Sequence, residues 1–196
     1  MKKTEDLFIV ALKEIKYIWS TNQTLSNFVS LPKDLKLDNV KNNQINATAK
    51  LASWTESDDA SNKKIHKIIS SLSFHVKWEN GYSEKDVNNK FLNNYGFFEL
   101  IGPTGHFKTS EMALYVNYLD KNTFYPLHNH EAEELYYILG GKATFRTKTV
   151  KKVLMAGDTQ FHKSWESHSM DTHEEPMLAF ILWRGTGLNQ LAKIDE

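Results

Sequence analysis

The segment from Tyr125 to Tyr136 concentrates side chains that can carry out chemistry. His128 and His130 are separated by one residue, so on an extended strand both imidazoles point to the same face. Glu134 and Tyr136 have the same spacing on the next predicted strand, so a carboxylate and a phenol also share a face. If both faces line the interior of a barrel, these residues can chelate a metal ion with a phenol beside it.

A third histidine would complete the ligand set, and three histidines later in the chain are candidates. His168 lies 34 residues after Glu134 and follows a turn predicted at Gly157-Asp158, while His162 and His173 are its competitors. Three imidazoles and one carboxylate suit one divalent transition metal ion, namely Fe(II), Mn(II), Zn(II), Ni(II) or Co(II). An isolated His-x-His pair more often lies on a surface without a metal, so the prediction depends on the correlated spacing of the whole set.

The composition limits the classes of ligand and partner. The 24 basic residues balance 24 acidic residues, so no charge excess favours nucleic acid or an anionic membrane, and a small molecule is the expected ligand. Cysteine is absent, which excludes disulfides and restricts any metal site to nitrogen and oxygen ligands. Charges interrupt the apolar residues near the N-terminus, and no stretch reaches the roughly 20 apolar residues of a membrane span. We therefore expect a cytoplasmic protein.

The elements that position these side chains divide into a helical part and a β-rich part. Apolar residues at helical spacing predict an amphipathic helix over residues 4–20 and another over 65–72, with short helices and polar loops between them. After the second helix the pattern changes to short strands separated by turns, which is typical of an antiparallel barrel or sandwich. We predict a helical N-terminal region at residues 1–75 that packs on a β domain at residues 76–196.

Short alternating or apolar runs define the strands of the β domain. The predicted strands cover residues 74–78, 112–119, 133–139, 143–148, 152–155 and 177–183. Gly140-Gly141 is predicted to be a hairpin turn between two of them, because glycine adopts the positive φ angles that such turns need. Tyr137 is predicted to face away from the metal ligands, where it either packs under the N-terminal helices or joins an interface between copies.

The spacing of the candidate ligands resembles the two sequence motifs of the cupin superfamily, G-x5-H-x-H-x3-E-x6-G and G-x5-P-x-G-x2-H-x3-N. The residues in register with the first motif are His128, His130, Glu134 and Gly141. The second motif begins at Gly157 and places its histidine at His168, so the resemblance favours His168 over its two competitors. It implies a mainly β fold with α-helices, in which a single cupin barrel, a double-stranded β-helix or jelly roll, follows the helical N-terminal region.

Four motif positions hold a different residue in this chain. Asn122 stands in place of the leading glycine of the first motif. In the second motif, Lys163 replaces the proline, Trp165 replaces the glycine and Thr172 replaces the asparagine. The second motif is therefore the weaker match.

Within the cupins, residues from about 78 to 185 resemble the dimethylsulfoniopropionate (DMSP) lyases of marine bacteria. The resemblance is carried by the segments YGFFELIGP, YPLHNH, AEELY, EPML and LWRG. It implies a carbon-sulfur lyase that cleaves DMSP to dimethyl sulfide and acrylate by β-elimination. It also implies that Tyr136 is the catalytic base and that Tyr125 and Trp183 are substrate-binding aromatic residues of the pocket.

The residue types are consistent with the implied elimination. A divalent cation near Tyr136 favours the phenolate over the phenol, whose ordinary pKa is about 10. A metal that binds the substrate carboxylate stabilises the negative charge that develops as the proton leaves. The aromatic faces of Tyr125 and Trp183 suit a sulfonium, because this cation cannot donate an N–H hydrogen bond. The expected substrate is therefore a small zwitterion.

Two other functions are compatible with the same ligands. A cupin-type Fe(II) dioxygenase would use them with open positions for oxygen and an organic substrate. A non-catalytic barrel would keep the metal for structure or ligand capture. Sensor cupins often carry a DNA-binding segment, but the sequence has no basic helix-turn-helix pattern. Many cupins are dimers, so a homodimer is a further expectation.

Overall fold

The structure of the protein is a computed structural model that describes residues 2–55 and 62–195. Helices form most of its N-terminal part. The α-helices of these residues are α1 (Lys2–Thr21), α2 (Gln23–Phe28), α3 (Asn46–Ser53), α4 (Lys63–Leu72) and α5 (Asn89–Asn94). They confirm the two predicted helices and the short helices between them. Residues 56–61 of the predicted polar region lie outside the described residues.

Helix α1 forms because its apolar residues recur at helical spacing and have a surface to pack against. Phe8, Leu12, Ile15 and Trp19 are all buried, as the amphipathic pattern predicts. Ile65 and Ile69 of α4 are buried in the same cluster. No helix of the described residues is long and apolar enough to cross a membrane.

Ten strands of the described residues form two sheets that share one long strand. The strands are β1 (Tyr95–Gly102), β2 (Phe107–Lys108), β3 (Ala113–Leu119), β4 (Phe124–Asn129), β5 (Glu133–Thr147), β6 (Lys151–Met155), β7 (Thr159–His162), β8 (His168–Asp171), β9 (Met177–Arg184) and β10 (Lys193–Ile194). One sheet has the order β2-β1-β3-β9-β5-β7 and the other has the order β10-β4-β8-β5-β6. Apart from the β1–β2 pair, all pairs are antiparallel, which confirms the predicted mainly β barrel.

The predicted hairpin at Gly140-Gly141 is wrong. Strand β5 runs without a break from Glu133 to Thr147, and its pairing with β9 shifts register between Ile138 and Gly140. Gly141 has a φ of +66°, and a Cβ atom there would lie 1.7 Å from the carbonyl oxygen of Pro176. The glycine therefore serves a bulge where β5 leaves one sheet for the other, rather than a chain reversal.

The predicted strand at residues 74–78 is also wrong. Helix α4 continues into a 3₁₀-helix at Ser73–His75, and the indole Nε1 of Trp78 donates a hydrogen bond to the Ser73 carbonyl at 2.7 Å. The following residues make only isolated bridges, such as that of Lys77 with Asn43. The apolar alternation at Val76 and Trp78 arises because the loop buries both side chains against the sheet.

The alternation of each strand sorts its side chains into two hydrophobic clusters. We call the face under the helices the outer face and the face inside the barrel the inner face. On β3, Leu114, Val116 and Tyr118 join the outer cluster, which contains the apolar stripe of α1. The inner cluster includes Tyr115 and Leu119. The helices and the sheet thus share one core, while the domain boundary between residues 75 and 76 stays a prediction.

Candidate metal centre and pocket

The candidate metal ligands are carried by three strands that meet inside the barrel. His128 lies in β4, and His130 follows directly after the end of that strand. Glu134 is the second residue of β5, and His168 is the first residue of β8. All four side chains are buried. Strand pairing between β4 and β8 sets His128 opposite His168, which is how residues 40 positions apart become neighbours.

Three of the four side chains form a group that can bind a metal ion. The imidazole Nε2 of His130 lies 3.2 Å from one oxygen of Glu134, and that of His168 lies 3.0 Å from the other. The ligand atoms of the three residues lie within 4.8 Å of one another. Both Nε2 atoms and Oε2 of Glu134 are buried without a hydrogen-bond partner. Two imidazoles and a carboxylate that converge without satisfying each other fit a divalent transition metal.

The tautomers of the histidines are set by main-chain carbonyl groups. Nδ1 contacts a carbonyl oxygen two residues away at 2.8 Å in His128, 3.0 Å in His130 and 2.7 Å in His168. An Nδ1–H that donates to a carbonyl leaves Nε2 with its lone pair free. In each neutral ring, this contact directs the Nε2 lone pair toward a metal ion.

The charges of the site also favour a cation. Burial alone raises the pKa of Glu134, but His130 and His168 outweigh it and hold the pKa well below its usual range. Burial lowers the pKa of His128, and the proximity of His168 lowers it further. The site thus combines an ionised carboxylate with a neutral imidazole, as a metal site requires.

His128 lies beside this group rather than within it. Its ring centroid is 4.1 Å from that of His168, and its ring stacks on Tyr125 at 3.8 Å with an interplanar angle of 4°. The structure therefore brings together His130, Glu134 and His168, while the role of His128 as a further ligand stays a prediction.

The two competitors of His168 occupy different environments. His162 is buried, and its ring stacks on His168 at 4.0 Å with an interplanar angle of 10°. Burial, with a contribution from His168, lowers the pKa of His162 to about 3. Nε2 of His173 contacts the Thr144 hydroxyl at 3.1 Å. His162 is thus a stacking neighbour of the group, and neither competitor belongs to it.

Two motif positions without glycine keep the backbone conformation that glycine favours. Asn122 has a φ of +55° and Trp165 has a φ of +61°. The amide N–H of Trp165 donates a hydrogen bond to the carbonyl oxygen of His130 at 2.8 Å, which ties the loop before β8 to a candidate ligand. The second motif therefore keeps the positive φ of its turn, although Trp165 replaces the glycine.

Trp183, predicted to bind substrate, also contacts two candidate ligands. Its indole Nε1 donates a hydrogen bond to Oε1 of Glu134 at 2.9 Å, and its ring lies 4.3 Å from that of His130. Such a hydrogen bond fixes the orientation of a carboxylate ligand. Trp183 is also part of the pocket wall, so one side chain both supports the candidate metal group and faces the pocket.

Three of the candidate ligands, His128, His130 and Glu134, line one side of a pocket. Tyr136 and Tyr125 also line it, as predicted. Its other residues are Gly81, Tyr82, Tyr95, Phe97, Tyr115, Asn117, Ile181, Gln190, Leu191 and Ala192. Among the described residues, no lysine or arginine lines this pocket.

The pocket contains a cluster of tyrosines that the sequence analysis did not find. The Tyr125 hydroxyl contacts that of Tyr82 at 2.7 Å and accepts a hydrogen bond from that of Tyr95 at 3.3 Å. Burial raises the pKa of Tyr136 well above its usual value, and the charge of Glu134 raises it further. Tyr136 therefore needs a nearby cation to act as a phenolate near neutral pH.

Comparison with known proteins matches residues 21–179 to the DMSP lyase family. The DMSP lyase DddQ of Ruegeria pomeroyi is 30% identical over 186 residues, which cover 94% of this chain and 92% of that protein. A crystal structure of DddQ from Ruegeria pomeroyi has a TM-score of 0.90 at 28% identity and covers 96% of both chains. A chain from crystal structures of the DMSP lyases RdDddP and RnDddQII has a TM-score of 0.93 at 28% identity, over 98% of this chain and 100% of the other.

A more distant structural relative shows the fold alone. A cupin-2 domain from Rhodospirillum rubrum has a TM-score of 0.50 at 12% identity, over 62% of this chain and 76% of that chain. The cupin fold predicted from the two motifs is thereby confirmed. By sequence and by structure over nearly its whole length, the chain belongs to the DMSP lyase family.

Proposed function

We propose that this protein cleaves DMSP to dimethyl sulfide and acrylate in a metal-dependent β-elimination. The observation that carries the proposal is the convergence of His130, Glu134 and His168 beside Tyr136, next to a pocket that no lysine or arginine of the described residues lines. A small zwitterion with a carboxylate and a sulfonium suits a pocket that offers a metal-binding group and aromatic faces. Family membership and the named activity of DddQ support the same substrate.

The residues divide the steps of the elimination among themselves. The Tyr136 oxygen takes a proton from the carbon next to the substrate carboxylate, and the electrons of that C–H bond form the new double bond. The bond from the neighbouring carbon to sulfur breaks, and its electron pair leaves with neutral dimethyl sulfide. When bound by His130, Glu134 and His168, with His128 as a proposed further ligand, a divalent metal supplies Lewis acidity toward the substrate carboxylate.

The aromatic residues bind the cationic end of the substrate. We assign this role to Tyr125 and Trp183, which both line the pocket. Tyr125 is held between the His128 ring and the hydroxyls of two further tyrosines, so its orientation is fixed before substrate enters. A cation over such a fixed aromatic face gains about 0.5–2 kcal/mol.

The test is detection of dimethyl sulfide in the headspace after purified, metal-analysed protein is mixed with DMSP. We expect release that stops when a chelator removes the metal and returns when one of Fe(II), Mn(II), Zn(II), Ni(II) or Co(II) is added back. The metal that restores the highest rate is the ion that best supports catalysis in vitro. Acrylate should form in equal amount, because each elimination gives one molecule of each product.

Absence of dimethyl sulfide from fully metallated protein would contradict the proposal. Oxygen consumption with a small organic substrate would then support the Fe(II) dioxygenase, and metal binding with neither activity would support the non-catalytic barrel. The cytoplasmic location and the homodimer stay predictions.

A further inference from the structure

Asn117 is a polar residue in the centre of an apolar strand. It lies in β3 and is fully buried, and its side chain lines the pocket. Its partners on the two neighbouring strands are Phe97 on β1 and Ala179 on β9. Neither of these side chains has a polar group that can form a hydrogen bond with an amide.

The carboxamide of Asn117 is not satisfied by the protein. Both Oδ1 and Nδ2 are buried without a hydrogen-bond partner. The Tyr95 hydroxyl is its polar neighbour but is outside hydrogen-bond geometry with the amide. A buried amide without partners costs about 1–3 kcal/mol, so an apolar residue would be more stable at this position. Such a cost is typical of positions that serve a ligand.

The proposed substrate offers one kind of strong hydrogen-bonding group. Its carboxylate has two oxygens with about four positions that accept hydrogen bonds, and a metal ion occupies only part of them. Its sulfonium has no N–H or O–H to donate. No lysine or arginine lines the pocket among the described residues, so its uncharged donors include tyrosine hydroxyls and the amides of Gln190 and Asn117. The Gln190 amide already donates to Glu131 at 3.1 Å, whereas the Asn117 amide has no partner.

We propose that Asn117 binds the substrate by donating a hydrogen bond from Nδ2 to its carboxylate, and that this contact orients the molecule in the pocket. The inference rests on the proposed function, because it takes the carboxylate from the proposed substrate. It adds a specificity-determining residue. Substrates whose anionic group is removed or esterified lose this contact.

The test compares Asn117→Leu and Asn117→Asp with the unchanged protein, all in the metal-loaded form. Two probes separate the ends of the substrate: acrylate carries the carboxylate alone, and trimethylsulfonium carries the cation alone. Their affinities are measured by calorimetry, and KM and kcat for DMSP are measured by dimethyl sulfide release. Metal content is determined for each protein.

We expect Asn117→Leu to weaken acrylate binding and to raise KM by about 10- to 100-fold, the value of one hydrogen bond to a charged group. Trimethylsulfonium binding should not change. Asn117→Asp should weaken acrylate binding further, because it places a carboxylate beside a carboxylate. Metal content should stay the same in both variants.

Asn62 offers a matched control. It is also a buried asparagine, but its Nδ2 donates to the Ile138 carbonyl at 3.1 Å and its Oδ1 accepts from Tyr137 at 2.9 Å. Asn62→Leu should lower the unfolding temperature and leave acrylate binding unchanged. Asn117→Leu should do the opposite, with an unfolding temperature equal to or above that of the unchanged protein. A purely structural role for Asn117 would not give this opposite pattern.

Two results would overturn the inference. Unchanged acrylate affinity and KM in Asn117→Leu would show that the amide does not contact the carboxylate. Weaker trimethylsulfonium binding in Asn117→Leu, with acrylate binding unchanged, would show that the amide faces the sulfonium instead. If the unchanged protein releases dimethyl sulfide, either result rejects only the role of Asn117. If it releases none, the proposed function fails, and this inference fails with it.

Discussion

The outer and inner faces of the sheet treat buried polar groups in opposite ways. On the outer face the polar groups bind each other: the Tyr137 hydroxyl donates to Asn62, and Trp78 donates to the Ser73 carbonyl. Two buried atoms outside the pocket, the hydroxyl oxygen of Ser70 and Oε1 of Glu99, are exceptions without a hydrogen-bond partner. On the inner face, polar atoms of His130, Glu134, His168, His162 and Asn117 have no hydrogen-bond partner.

This difference separates stability from function within one layer of strands. Each buried polar group without a hydrogen-bond partner lowers the free energy of unfolding. A cluster of such groups is therefore expected where a ligand supplies the missing partners. Adjacent residues of β5 illustrate the contrast, because Tyr136 faces the pocket and Tyr137 faces the helices. Substitutions on the inner face should therefore change activity or metal binding, and those on the outer face should change stability.

The largest expected effect comes from Tyr136 and Tyr137, adjacent residues of the same type that occupy opposite faces of β5. Tyr136→Phe should lower kcat for dimethyl sulfide release by about 10²- to 10⁴-fold, because it removes the proposed base. Tyr137→Phe should leave kcat unchanged but lower the free energy of unfolding by about 1–3 kcal/mol, since Asn62 Oδ1 loses its donor. Initial rates and urea unfolding of both variants measure the two effects.

Metal analysis is the control for this pair, because Tyr136→Phe should retain its metal. A nearly normal rate in Tyr136→Phe would exclude Tyr136 as the base. A large loss of kcat in Tyr137→Phe would show that substitutions on the outer face also affect activity, which would contradict the comparison.

The second comparison lies within the inner face, between the stacked histidines His168 and His162. His168→Ala should weaken metal binding by at least about 100-fold, because it removes an atom of the candidate ligand group. His162→Ala is an equal truncation of the ring that stacks on His168. It should weaken metal binding by about 10-fold or less. Metal titration under competition with a chelator measures both values. Loss of metal in His162→Ala alone would mean that the second cupin motif is misaligned.

The metal-binding group could be predicted from the sequence because it depends on short-range spacing. His128 and His130 alternate on a strand, Glu134 follows at a fixed distance, and the resemblance to the cupin motifs selected His168. The structure brings the last three together. The helix over residues 4–20 was predictable for the same reason, since an apolar stripe at helical spacing indicates one buried face.

The features that were missed depend on contacts between distant segments. Gly141 resembles a turn residue in sequence, but its role is to let the carbonyl of Pro176 approach β5. Tyr82 lies in a loop, and the segment from Gln190 to Ala192 reaches the pocket from the end of the chain. No local pattern marks these residues. Asn117 did carry a signal, because it is the one polar residue in the apolar run from Ala113 to Leu119.

The smallest expected effect concerns His106, which packs against helix α1 on the outer side of the sheet. A substitution there should change stability alone. His106 is buried against Phe8 at a ring distance of 4.6 Å, and its Nε2 accepts a hydrogen bond from the Lys77 amide at 3.2 Å. Burial lowers its pKa to about 4; Lys108 lowers it further and Asp38 opposes this.

Because the pKa of His106 is lower in the folded state than its unfolded value of about 6.5, the unfolded chain binds the proton first as pH falls. Its stabilising contribution is therefore complete above about pH 6.5 and is lost as the pH falls toward 4. His106→Gln keeps an acceptor for the Lys77 amide but does not titrate. Between pH 7 and 5 the unchanged protein should lose about 2 kcal/mol more than this variant in urea unfolding. The difference isolates His106, because other buried histidines titrate equally in both proteins. If both proteins lose the same free energy of unfolding, His106 is protonated in the folded protein at pH 5. The outer face would then contain a buried imidazolium without a charged partner.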